Sequence, residues 1–259
     1  MVVKTKGIAL KKRHGQNFLR DVGVVSNIIS GADVEPNASV LEIGCGDGFL
    51  TNAILSEKIE RLWGFEIDDE WAEHIRKTIS DKRFTLFEKD ILEFDFSRLE
   101  QHSPWVLLAN LPYHITFPIL FMIQQFRHLF SHGVIMVQEE VAQKLVKTKG
   151  RGYGFNSLFF QRYFDLKLLE KISPEAFRPK PKVFSRLLFF SPKSKVAKIA
   201  DEQEFWRFIK VCFQFPRRTL KNNLLQTHYD SSKIDDKILS LRSQQLSVED
   251  FISLWNLIK

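Results

Sequence analysis

Cysteine is almost missing from this chain of 259 residues: Cys45 and Cys212 stand far apart, with no Cys-X-X-Cys pair and no Cys/His spacing. That excludes a disulfide framework, argues against a zinc or other metal site, and fits a reducing cytoplasm. Long apolar runs are missing too, so no segment is expected to span a bilayer and no membrane partner is expected. The opening residues run into Lys11, Lys12 and Arg13 without the apolar core that a secretory signal needs. Internal repeats and low-complexity segments are also absent. A folded, soluble, cytoplasmic protein is what remains.

The hydrophobic share of 44% at this length allows one large core and a small appended domain. Lysine and arginine number 38 against 31 acidic residues, a formal net charge of +7, which favours an anionic partner without naming it. From Ser39 onward, short apolar runs alternate with amphipathic stretches, the pattern of parallel strands joined by crossover helices, so the fold class is α/β. The spacing predicts strands at Ser39 to Ile43, Arg61 to Glu66, Arg83 to Glu88, Trp105 to Asn110 and Gly133 to Gln138. The clearest predicted helices are Asp69 to Ile79 and Phe117 to Phe126.

The basic, glycine-rich run after Lys147 reads as a mobile loop suited to phosphates. Two further strands, Asp165 to Ile172 and Val183 to Ser191, flank a proline-rich connection and are expected to add an antiparallel hairpin at the sheet edge. Composition shifts around Pro192 to Ala200. The division expected is a catalytic domain over 1–192 and a small helical domain over 193–259. In the latter, Phe205, Phe208, Ile209, Cys212 and Phe213 mark one helix face, and Ser247 with Asp250 reads as the capped start of the last helix.

Three features gather at the carboxyl ends of the first three predicted strands, where open α/β sheets bind ligands. Gly44-Cys45-Gly46-Asp47-Gly48 follows the first strand; its GxGxG spacing suits close approach to a cofactor without a pyrophosphate, though it would also serve a purely structural turn. Glu66, 22 residues after Gly44, is placed to accept from both hydroxyls of a ribose. Asp90 is placed to accept from the adenine amine of the same cofactor, or to cap a helix.

After the fourth strand comes Asn110-Leu111-Pro112-Tyr113, the most specific stretch in the chain. An adenine amine is a poor nucleophile because its lone pair is delocalised into the ring. The Asn110 carbonyl and the backbone carbonyl of Leu111 or Pro112 could accept its two hydrogens and favour a pyramidal nitrogen facing a sulfonium methyl. No strong general base is then required. Tyr113 offers a ring face for stacking, and Pro112 fixes the local backbone. His114, beside this stretch, reads as pocket lining.

On these residues the chain resembles the KsgA/Erm family of ribosomal RNA adenine dimethyltransferases. Gly15-Gln16-Asn17-Phe18-Leu19 is similar to that family's N-terminal cofactor segment, and Phe177-Arg178-Pro179-Lys180-Pro181-Lys182-Val183 to its FxPxPKV segment. The resemblance implies a Rossmann-like class I methyltransferase domain with a mostly parallel seven-stranded sheet. It implies S-adenosylmethionine as cofactor, held by Asn17, Leu19, Gly44, Gly46, Glu66, Ile67, Asp90, Ile91 and Asn110. It implies catalysis by Asn110, Leu111, Pro112 and Tyr113, with Phe177 as the second wall of an aromatic clamp.

Leu111, the tail segment from Phe215 to Leu224 and the Leu246 to Phe251 segment resemble the KsgA branch. That branch implies dimethylation of two adjacent adenines in a hairpin loop near the 3′ end of 16S ribosomal RNA. The implied partners are that RNA and the immature small ribosomal subunit, with the protein a monomer. Phosphate contacts are expected from Lys11, Lys12, Arg13, Lys147, Lys149, Arg151, Arg217, Arg218 and Lys221. Alternatives are an assembly factor acting mainly by binding, an Erm-like enzyme of large-subunit RNA, or a methylase of DNA or protein glutamine. Leu111 speaks against the last, whose tetrad is Asn-Pro-Pro-Tyr.

Three positions depart from the family pattern. Cys45 stands where proline is common, Gln138-Glu139-Glu140-Val141 carries an acidic residue where lysine is frequent, so that turn is not counted as an RNA contact, and Phe184-Ser185-Arg186 replaces the usual Asp-Ser-Ala. The first would leave a thiol near the cofactor.

Overall fold

The computed structural model describes residues 4–6, 8, 9, 11 and 15–259. Lys12 and Arg13, expected at phosphates, lie outside the described residues. The central sheet has seven strands: β1 (Ser39–Ile43), β2 (Arg61–Glu66), β3 (Phe84–Glu88), β4 (Trp105–Asn110), β5 (Phe130–Gln138), β6 (Phe164–Ile172) and β7 (Ser185–Pro192). Their order across the sheet is β3-β2-β1-β4-β5-β7-β6. β1 to β5 pair in parallel, and β7 runs antiparallel to β5. The two late strands do add at one edge, with β7 inserted next to β5 and β6 outermost.

β1 and β4 are buried along nearly their whole length because parallel strands are covered on both faces. The helix α1 (Val22–Ala32) starts where the Asp21 carboxylate accepts from the backbone of Gly23 and Val24, and ends at Asp33, whose left-handed backbone satisfies two late carbonyls. The next helix, α2 (Phe49–Leu55), leaves the glycine turn after β1. In α3 (Asp69–Thr78), capped by Asp68, the apolar Trp71, Ala72 and Ile75 repeat at helical spacing and are the buried residues. Pro118 is tolerated in α4 (Thr116–Gln125) because it falls in the first turn, where backbone N–H groups have no helical partner.

β5 begins three residues before the predicted Gly133. Phe130 is buried and the His132 ring lies 2.6 Å from the Ala32 carbonyl of α1, so tertiary contacts extend a strand that the apolar pattern starts later. After β5 come α5 (Glu139–Leu145) and α6 (Phe155–Tyr163); the second absorbs the Phe159-Phe160 pair. The later helices are α7 (Glu202–Cys212), α8 (Leu220–Leu224), α9 (Asp236–Leu239) and α10 (Val248–Ile258). No helix among the described residues is long and apolar enough to cross a membrane.

The chain forms two compact units, 1–142 with 165–192, and 143–164 with 193–259. The segment 143–164, counted with the catalytic domain in the sequence-based division, thus groups with the helical tail. The first unit's core joins α1 and α2 to the sheet through Val25, Ile28, Val40, Ile54, Leu108 and Leu187. In the second, Phe205, Phe208, Ile209 and Cys212 pack with Phe251, Leu254 and Trp255. Ser247 and Asp250 form the expected capping box at the start of α10. The basic run before α6 is a turn, pinned where Gly150 donates to the Gln244 carbonyl and Gln161 donates to the Lys147 carbonyl.

Gly133 admits no side chain: a Cβ there would sit 2.3 Å from the Leu107 carbonyl of β4 and 2.7 Å from the Phe190 ring. Because the backbone oxygen cannot yield, Gly133→Ala is expected to lower unfolding stability by about 3 kcal/mol. A urea midpoint equal to the parent's would show that the strands can part at that point.

Candidate active site

The register of β1, β2, β3 and β4 brings their carboxyl ends level, Ile43 beside Phe65 and Ala109, and Phe65 beside Phe87. The residues just beyond these ends line a cavity of about 230 Å³. Gly44 and Gly46 both have positive φ, 81° and 54°. That backbone turns the Gly46 N–H onto the Glu66 carboxylate at 2.7 Å, and the other Glu66 oxygen accepts from the Asp68 N–H at 2.9 Å. Burial holds the Glu66 carboxyl above its ordinary range, with those two bonds pulling it down. The Asp90 carboxylate caps the short helix Ile91–Glu93 through Leu92, and the residue lines the cavity.

The segment from Gly15 to Leu19 lies against the same cavity. Phe18 packs on Trp71, with ring centroids 4.7 Å apart, and lies so close over Gly46 that a Cβ there would meet it at 2.9 Å. Ionic contacts fasten this strap. Arg20 reaches the buried Asp47 at 2.8 Å, and Lys11 reaches Asp68, Asp69 and Glu70 at 2.8, 2.7 and 3.1 Å. The Gln16 amide donates to Asp68 as well. Lys11 is therefore occupied by three carboxylates, which raise its pKa with Asp68 foremost, and is not free for a phosphate as the sequence reading had it. Asp68, Asp69 and Glu70 are close enough to hold a cation, and Lys11 supplies it.

The tetrad starts at Asn110, the last residue of β4, and runs into the turn beyond it. The Asn110 amide nitrogen donates to the Asn17 carbonyl at 3.2 Å. Its carbonyl oxygen accepts nothing from the described residues, and the residue lines the cavity. Pro112's carbonyl accepts from Ile115, whereas that of Leu111 accepts from no described residue. Tyr113 is partly buried, its hydroxyl 2.7 Å from that of Ser185. Burial raises the phenol pKa, with the Ser185 bond working against it. His114 is exposed and lines the cavity.

Asn17, Leu19, Gly44, Gly46, Glu66, Ile67, Asp90, Ile91, Asn110, Leu111, Pro112 and Tyr113 are thus brought to one cavity, and Phe177 is not. Phe177 pairs through its backbone with Leu19, and its ring, 1% exposed, lies in the apolar cluster with Leu19, Val24 and Leu187. An aromatic segment gave no sign of which way that ring would turn. The Cys45 thiol is buried too, with burial pushing its pKa well up, so the departure from proline exposes no reactive thiolate.

Sequence reasoning missed what joins the other two departures. Arg186 grips Glu139 through two bonds of 2.6 and 2.8 Å and donates to the Leu169 carbonyl at 2.8 Å. The signal was available: acid appears at one unusual position and arginine at another.

A seven-stranded sheet of this order, with a glycine turn after β1, an acid ending β2 and an Asn-Leu-Pro-Tyr turn after β4, defines a class I methyltransferase. The chain belongs to the ribosomal RNA adenine dimethylase family, whose model matches residues 7–259. It is 38% identical over 253 residues to ribosomal RNA small subunit methyltransferase A of Prosthecochloris aestuarii, covering 97% of this chain and 95% of that one. The protein of the same name from Mycoplasmopsis pulmonis is 34% identical over 95% of this chain and 97% of its own length. Among solved structures, a dimethyladenosine transferase from Plasmodium falciparum superposes with a TM-score of 0.78 at 22% identity, covering 92% of this chain and 95% of that one. The 23S rRNA methyltransferase ErmE gives 0.75 at 20% identity, over 93% and 99%, and shares the fold.

Beneath the glycine turn, Glu42 is wholly buried and neither carboxyl oxygen has a hydrogen-bond partner. Burial raises its pKa from 4.5 to about 7, Thr51 and Cys45 beside it pulling weakly the other way. The folded state therefore holds this proton more tightly than the unfolded chain, and the resulting stability is full below 4.5 and lost as pH rises through about 7. Glu42→Gln is expected to remove that decline, gaining about 3 kcal/mol over the parent by about pH 8. Urea melts across this range test it; parallel pH profiles for the two proteins would contradict a protonated Glu42.

Proposed function

We propose that the protein dimethylates the exocyclic amines of two adjacent adenines in a hairpin loop near the 3′ end of 16S ribosomal RNA. It works in the cytoplasm, as a monomer, on the maturing small ribosomal subunit. Membership of the adenine dimethylase family and the small-subunit name carried by relatives at 34% to 38% identity support this over a large-subunit target.

The cavity fits S-adenosylmethionine. The glycine turn leaves room where side chains would intrude, and Glu66 and Asp90 offer carboxylate oxygens to hydroxyls and an amine. Each Glu66 oxygen already holds one backbone N–H and keeps a second lone pair. Asn17 and Leu19 from the strap, with Ile67 and Ile91, would complete the cradle. When bound, the cofactor supplies an electrophilic methyl group.

The observation that carries the reading is the orientation of Asn110. With its nitrogen committed to the Asn17 carbonyl, its oxygen is the atom left for an amine hydrogen. The Leu111 carbonyl is the better second acceptor, since that of Pro112 already serves Ile115. Two acceptors favour a pyramidal nitrogen whose lone pair is withdrawn from conjugation with the ring, and Tyr113 gives the base a face on which to stack. A single-stranded loop lets the adenine leave its stack at small cost. Phe177 would join as a second wall only by leaving its core position. Lys147, Lys149, Arg151, Arg217, Arg218 and Lys221, all exposed, are proposed to meet phosphates, so affinity falls as salt rises.

Asn110→Ala is expected to slow methyl transfer on the order of 100-fold, the scale for losing one aligned polar group at a reacting atom. Calorimetry should show cofactor affinity within about three-fold of the parent. Unimpaired transfer by this variant would refute the role of Asn110.

A further inference from the structure

We infer that Ser185 is a positioning residue for methyl transfer: its hydroxyl holds the Tyr113 ring in the orientation that receives the adenine. The inference rests on Tyr113 being the stacking face. Tyr113 opens a one-turn helix, Tyr113–Ile115, where no side-chain cap steadies the chain, and its ring projects from there to the cavity wall. The bond of 2.7 Å between its hydroxyl and that of Ser185 tethers the far end of the ring to the sheet.

Ser185 is suited to be the fixed end. It is the first residue of β7, has no exposed surface, and pairs with Gln138 at the end of β5. The residues on either side of it are both bonded to Glu139. Phe184 accepts from the Glu139 N–H at 3.0 Å, and Arg186 holds the Glu139 carboxylate with two charge-assisted bonds. The third Arg186 contact, to the Leu169 carbonyl, ties the same point to β6. Ser185 therefore cannot follow the ring if the ring swings, and the short serine side chain has little rotamer freedom of its own to lose. A ring held at both ends loses less freedom when a base settles on it, and a base placed out of line by a fraction of an ångström meets the methyl donor poorly. Glu139 and Arg186 act here as the brace behind the tether.

The test is single-turnover methyl transfer at saturating S-adenosylmethionine, on small ribosomal subunits lacking the modification. Four proteins are compared with the parent: Ser185→Ala, Tyr113→Phe, the double variant and Tyr113→Ala. One neutral hydrogen bond predicts that Ser185→Ala and Tyr113→Phe each slow transfer about five-fold, with cofactor affinity unchanged. The double variant should be no slower than either, because both changes break the same bond. Parent-like transfer by Ser185→Ala, or a double variant slowed by the product of the two losses, would overturn the inference. If Ser185→Ala does not fold, Tyr113→Phe decides alone, since it keeps the ring and removes only the tether; a parental rate there overturns it. Parental transfer by Tyr113→Ala instead removes the stacking role of Tyr113 itself.

Discussion

The rest of the site hangs on the bond from the Gly46 N–H to the Glu66 carboxylate. It joins the turn after β1 to the end of β2, and it forms because Gly44 and Gly46 take a backbone that side chains resist. Glu66 is thereby fixed at the cavity floor, and the turn stays open above it. Without that bond, a buried carboxylate would lose a principal partner and the turn would lose its anchor.

This arrangement concentrates acid. Glu42, Asp47, Glu66 and Asp68 are all buried around the turn. The compensating cations come from the N-terminal strap, Arg20 at Asp47 and Lys11 at Asp68. The strap thus lies over the cavity for an electrostatic reason as well as through the packing of Phe18 on Trp71. Its backbone also sets Asn110, since the Asn17 carbonyl is what the Asn110 amide donates to. Cofactor cradle and reacting amide are linked through one short segment.

The Glu139 and Arg186 pair shows how two charges far apart in sequence can be carried in a part-buried place, because a bidentate pair offsets the cost of taking each from water. Together they form a bidentate pair beside the residue that meets Tyr113. Their closeness follows from β7 lying next to β5, a neighbourhood that a separation of 47 positions in the chain conceals.

The strand-ending positions of Gly44, Glu66, Asp90 and Asn110 were legible in the sequence because each is set by local pattern: an apolar run, its end, and the polar residue that follows. Parallel pairing of strands of similar length then brings such ends level without further information. Side-chain direction and partnership were not legible, because they depend on what arrives from distant parts of the chain. The Phe177 ring turned inward with Leu19, the Lys11 ammonium went to three carboxylates, and Ser185 met Tyr113 across 72 residues. Sequence alone determined which chemistry gathers at the strand ends; tertiary packing decided which of those groups remain free to use it, because only the folded chain settles which polar atoms already have partners.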